Sequence, residues 1–204
     1  MMDSCRRNGC PACRLSGAIR GMATGKAVLA SLGLWLIALA LINGKPFGLA
    51  QLHEITGGAT ILDMTFTTGP DQVYSVLSSL GEAGRAFDLT HIVPLDLVFP
   101  FTYGLFLALG ISWGLSRLLP EGSPWFLLNL GPVCAAAADY CENAGVITLL
   151  LTYPARLDAV AWIVSIMYAV KFLFSAISFI TLFAALAGCA IMILVHRPVR
   201  SPSP

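Results

Sequence analysis

Four long apolar segments divide this chain, and three of them carry charged residues. A helix crossing a bilayer needs about 20 mostly apolar residues. It must also satisfy its backbone polar groups internally, because lipid offers them no partners. The segments run over about 27–43, 89–116, 125–153 and 159–195. Only 11% of the 204 residues are charged and 57% are hydrophobic, whereas soluble domains carry about 25% charged residues. A core of this size cannot bury that much apolar surface, so lipid must cover the rest. The expected fold class is all-α: a polytopic membrane protein of four transmembrane helices, with one outer loop carrying a short amphipathic helix. The net charge of +1 is uninformative, and the lack of a basic stripe or nucleic-acid motif argues against a nucleic-acid partner.

The distribution of Lys and Arg sets the expected orientation. Arg6, Arg7, Arg14, Arg20 and Lys26 precede the first span, Arg117 lies between the second and third, and Arg197 and Arg200 follow the fourth. Lys45, Arg85 and Arg156 fall on the other side. Both termini are therefore expected in the cytoplasm and the protein in the inner (plasma) membrane. Residues 1–26 read as a disordered cytoplasmic tail, 27–195 as the four-helix domain and 196–204 as a second cytoplasmic tail. The first span starts too late, and lacks the cleavage site, for a signal peptide. Met22 offers an alternative start that would leave the first 21 residues untranslated.

Pro94 and Pro100 predict a kink in the second span. The loop over 44–88 is the one sizeable connection. Within it, Asp71 after Pro70 marks a helix start, and Val73, Val76, Leu77 and Leu80 follow at helical spacing. This helix either packs on the bundle or covers a pocket as a lid. Gly33 forms no small-residue packing motif within the first span, and that span reads as an apolar packing or lipid-facing element.

Charged groups within a span are costly and usually face the bundle interior or water. Arg85, Asp96 and Tyr103 would share one stripe if the second helix stayed regular past its prolines. Asp139, Glu142 and Asn143 share a face of the third helix at i, i+3 and i+4. Tyr168, Lys171, Ser175 and Ser178 make a polar stripe on the fourth. Counting helical rise from the cytoplasmic ends puts Asp96 about 32 Å deep, Asp139 and Glu142 about 22 and 27 Å, and Lys171 about 38 Å. All lie in the outer half of a hydrocarbon core about 30 Å thick, or at its outer interface. The candidate ligand-binding set is thus Arg85, Asp96, Tyr103, Asp139, Glu142, Asn143, Tyr168 and Lys171. Three carboxylates against Lys171 and Arg85 leave one negative charge, to be met by a proton or a cationic ligand.

The run of Leu62-Asp63, Gly84-Arg85, Leu95-Asp96, Tyr103, Asp139-Tyr140-Cys141-Glu142-Asn143 and Tyr153-Pro154 resembles uncharacterised four-helix bacterial integral membrane proteins. The resemblance extends from the outer loop through the third span and implies the four-helix fold. It brings no activity with it.

Cys10-Pro11-Ala12-Cys13 has the C-x-x-C form of redox and metal sites. Its place in the cytoplasmic tail, with Cys5 the only further thiol nearby, argues against both roles. Cys134 and Cys141 stand about 10 Å apart on one helix, too far to bridge, and Cys189 reads as lipid-facing or core. His53 and His91 lack a ligand partner at diagnostic spacing, and no cofactor or metal is expected. No nucleotide, nucleophile-elbow or zinc-protease motif occurs.

Three functions remain open. The first is binding or transport of a small cationic or amphipathic ligand through an outward-facing polar pocket, in which a homodimer would supply further helices. The second is an intramembrane lipid-modifying enzyme using a carboxyl pair as acid and base. The third is a structural subunit of a membrane complex, with the polar groups setting helix register.

Overall fold

Thr24 opens the first long helix, its hydroxyl accepting a hydrogen bond from the Ala27 amide at 3.2 Å. The computed structural model containing it describes residues 10–195, so Cys5 and the 196–204 tail lie outside the described residues. Within that range every regular element is helical. In chain order they are α1 (Pro11–Met22), α2 (Gly25–Asn43), α3 (Leu49–Thr56), α4 (Pro70–Ser79), α5 (Gly81–Phe87), α6 (Val93–Asp96), α7 (Phe99–Leu118), α8 (Gly131–Thr152) and α9 (Asp158–Val195). A 3-10 turn covers Leu62–Met64, a π-helical turn covers Asp88–Ile92, and a 3-10 segment, Pro124–Leu130, leads into α8.

Four stretches are long and apolar enough to cross a membrane: Gly25–Asn43, Gly81–Leu118, Pro124–Thr152 and Asp158–Val195. The second begins eight residues before the expected start at 89, because α5 and the π turn run directly into the bundle. The fourth has 38 residues, about 57 Å by helical rise, and so exceeds a bilayer core about 30 Å thick.

The second span is broken where its prolines remove backbone donors. The Val93 amide reaches back five residues to the Asp88 carbonyl, forming the π turn just before Pro94. Pro100 cannot donate to the Asp96 carbonyl one turn earlier. The helix accordingly gives way to a turn at 97–98 before α7 begins.

Close helix packing depends on glycines. A Cβ on Gly114 would lie 2.8 Å from the Ala185 Cβ, and one on Gly110 would lie 2.9 Å from Leu182 Cδ1. Gly110 and Gly114, one turn apart, thus form the small-residue face that brings α7 against α9. Gly145 does the same for the α8–α9 hairpin, where a Cβ would meet Val164 Cγ2 at 2.5 Å. The first span instead packs along α7 and keeps Leu29, Ile37 and Leu41 exposed.

The segment between α2 and α5 folds against one end of the bundle. Val73 and Leu77 of α4 are fully buried with Leu62, Leu149 and Val164. The Thr67 and Ser165 hydroxyls bond at 2.7 Å, and the Tyr74 hydroxyl donates to the Ala155 carbonyl at 3.2 Å. Arg156, in the α8–α9 turn, pairs with Asp71 at 2.6 Å and Asp158 at 3.2 Å. These hydrogen bonds, Asp71 first, push the exposed guanidinium's pKa up.

The opposite end departs from expectation. Residues 11–22, read from the sequence as part of a disordered tail, form α1 and dock on the Pro124–Leu130 segment and α7. Asn129, fully buried, donates to the Ser16 carbonyl at 3.1 Å and to the Ser112 hydroxyl at 2.9 Å. The Ser16 hydroxyl returns a bond to the Phe126 carbonyl at 3.1 Å, and Ile19 fills the space beside Ala108 and Leu109. The helix is ordered because its apolar face and one serine find buried partners that local sequence does not reveal.

Candidate functional site

The broken second span, α8 and α9 bring their charged residues to one level, and a loop residue joins them. Lys171 projects from α9 into the centre. Its ammonium ion-pairs with Asp63 of the 3-10 turn, with Glu142 Oε2 at 2.7 Å and with Asp139 Oδ1 at 3.5 Å. The other Asp139 oxygen accepts a 3.0 Å hydrogen bond from the Tyr103 hydroxyl. Glu142 is fully buried, and its Oε1 accepts no hydrogen bond among the described residues.

Asp96 and Asn143 form the adjoining layer. The Asn143 amide donates to the Asp96 backbone carbonyl at 3.3 Å. Pro100 leaves this carbonyl without its helical donor, so a side chain of the third span repairs the break in the second. Asp63, Asp96 and Asp139 each offer an oxygen within 4.8 Å of the others, close enough to share one cation. No metal was expected from the sequence, where no ligand pair stands at diagnostic spacing. Asp88, buried on the π turn, adds a carboxyl within electrostatic range of Asp63.

Beside the charges lies a cavity of about 290 Å³. Asp63, Asp139 and Lys171 line its polar end, with Tyr168 beside them. The Lys171 ammonium sits 5.2 Å from the centre of the Tyr168 ring, and Phe66 meets that ring edge-on at 6.0 Å. The remainder of the wall is Trp35 from α2, Phe99 and Tyr103 from the second span, and Phe172, Ser175 and Phe179 from α9.

Of the eight expected site residues, Tyr103, Asp139, Tyr168 and Lys171 line the cavity, Glu142 contacts Lys171 behind it, Asp96 and Asn143 form the adjoining layer, and Arg85 lies apart. Its guanidinium donates to the Leu77 carbonyl at 2.9 Å and stacks 3.9 Å above the Tyr153 ring. The stripe that would have joined it to Asp96 assumed 3.6 residues per turn, and the π turn between them breaks that register. The charge count changes accordingly. Asp63, Asp96, Asp139 and Glu142 surround Lys171 alone, so three negative charges are unmatched if all are ionised.

Sequence reasoning missed Asp63 and the aromatic wall. Asp63 did carry a signal: it is a lone charge between Ile61-Leu62 and Met64, an apolar setting unusual for a loop carboxylate. Trp35 and Phe179 carried none, since an aromatic in a span reads equally as lipid-facing.

His53 and His91 lie away from the cavity. His91 stacks on Phe87 at 4.5 Å and pairs with the Thr90 hydroxyl at 2.8 Å, and His53 is exposed. Cys10 is a free thiol whereas Cys13 is disulfide-bonded, so the C-x-x-C pair does not close on itself. Cys189 belongs to the core, its thiol 3.6 Å from the Gly114 carbonyl.

The class defined by fold and site is an all-helical protein with four helices able to span a membrane and a charged, aromatic-walled pocket between them. The chain matches no protein-family model, no curated protein and no solved structure.

Proposed function

We propose that this is a multi-pass inner-membrane protein with both termini in the cytoplasm, and that its outward-facing pocket binds a small organic cation. One observation carries the reading: three carboxylates, those of Asp63, Asp139 and Glu142, pair with the single Lys171 ammonium, and Asp63, Asp139 and Lys171 form the polar end of a cavity whose other walls are largely aromatic. Excess negative charge in a desolvated site calls for a countercharge. Aromatic faces attract cations through their quadrupoles, most strongly where water is excluded. Asp139 and Asp63 supply charge, Tyr103 orients Asp139, Tyr168 offers a ring face, and Lys171 offsets part of the negative charge.

The basic residues cluster at the end where α1 and Arg117 lie, supporting the orientation. Between that end and the charged layer, the second span has no charged residue from Leu97 to Ser116. This stretch is about 30 Å by helical rise. The pocket would then sit at the outer boundary of the hydrocarbon, reachable from the outer compartment or outer leaflet. Four helices are few for a transport path, and a homodimer would enlarge it.

The test is titration of the protein in lipid nanodiscs with tetramethylammonium, read by calorimetry and by thermal stabilisation. Saturable binding that Asp139→Asn weakens at least tenfold is the expected outcome. The reading fails if organic cations do not bind, or if Asp139→Asn, shown to be folded, binds them unchanged.

A further inference from the structure

We propose that the ligand is a single-chain amphiphile, a quaternary or protonated amine carrying an alkyl tail, and that it enters from the bilayer between the first and fourth spans. This rests on the cation reading above and adds the ligand's second half and its route.

The cavity is polarised along the helix axes. Asp63, Asp139 and Lys171 mark one end. From Lys171 the lining follows α9 through Phe172 and Ser175 to Phe179, a descent of about 12 Å. No charge lies along that path. Its direction leads from the charged layer into the apolar slab, the direction in which a leaflet amphiphile hangs its tail.

The side wall is thin and faces outward. Phe172 is 65% exposed at the cavity's edge, on a helix most of whose apolar residues face away from the bundle. Across the gap, Trp35 stacks on Phe106 at 5.3 Å and meets Phe179 at 6.1 Å. One aromatic contact thus separates the tail end of the cavity from the surface that lipid would cover. At the polar end the 3-10 turn places Asp63 over the charges.

Volume limits the occupant. The cavity of about 290 Å³ holds roughly ten water-sized groups, at about 30 Å³ each. That matches a trimethylammonium head with a chain of about six carbons. A two-chain lipid would not fit, and a longer chain would have to leave between Trp35 and Phe179.

The experiment is calorimetric titration, in nanodiscs, with tetramethylammonium and then butyl-, hexyl- and dodecyltrimethylammonium, scored on free aqueous concentration. Affinity should rise roughly threefold to fourfold per methylene, the value of burying apolar surface, and level off near hexyl. Ser175→Phe should fill the path of the tail and abolish the chain-length gain. Phe179→Trp provides a second obstruction should Ser175→Phe fail to fold. If tetramethylammonium binds but added methylenes bring no gain, this inference is overturned and the cation pocket stands. A gain that persists undiminished in both obstructed variants also overturns it, since the tail would lie elsewhere. If no member of the series binds, the cation reading itself has failed.

Discussion

Lys171→Met removes the one cation at the centre of the charged layer while keeping a flexible side chain of similar reach. Lys171 contacts Asp63, Asp139 and Glu142, whose side chains are 21%, 3% and 0% exposed. Removing one partner of a buried ion pair costs about 3–5 kcal/mol, because the other charge stays desolvated and unmatched. Asp63 is partly hydrated, which favours the lower end, about 3 kcal/mol. In a chain of this size each kcal/mol moves the midpoint by about 2–4 °C, so a drop of roughly 6–12 °C is expected. Thermal unfolding in nanodiscs, at neutral pH and without added cation, measures it. Combining Lys171→Met with Glu142→Gln should recover part of the loss, because the most deeply buried unmatched charge is then gone. A Lys171→Met variant within 1 °C of wild type, or a double variant no more stable than the single, would refute the assignment of Lys171 as the counter-ion.

Asn143→Leu should destabilise by about 1–3 kcal/mol, the cost of leaving the Asp96 carbonyl unpaired; adding Pro100→Ala restores a backbone donor and should recover part of that in the same unfolding assay. Gly114→Leu drives a side chain into Ala185, 2.8 Å from where its Cβ would lie, and should cost about 1–3 kcal/mol or more, seen as a lower unfolding midpoint. Asn129→Leu removes the side chain that holds α1 through Ser16 and Ser112, and limited proteolysis should then release residues 11–22 faster than in wild type. Arg85→Gln should leave tetramethylammonium affinity unchanged within twofold, since Arg85 faces Leu77 and Tyr153 rather than the cavity.

The class of protein and most of the charged layer were legible in the sequence. Apolar length and the scarcity of charge point to helices able to cross a membrane, because a backbone in lipid has few ways to satisfy its polar groups. The i, i+3, i+4 spacing of Asp139, Glu142 and Asn143 puts them on one face of any regular helix. Regularity is also the assumption that failed for Arg85: its relation to Asp96 passes through a π turn whose register depends on packing and on proline. Asp63, Trp35 and Phe179 reach the site from remote parts of the chain. Their arrival depends on how the 3-10 turn lies against α9 and how α2 lies along α7, and neither periodicity nor charge encodes it. The order of α1 has the same origin, since its partners Asn129 and Ser112 lie far along the chain. Local sequence determined the helices, their apolar character and the faces bearing charge, because those follow from residue spacing along a single regular element. Which faces meet, where the cavity opens and that Asp63 completes it were decided only by the tertiary structure, because contacts between remote elements arise from shape and close packing, which a linear pattern does not carry.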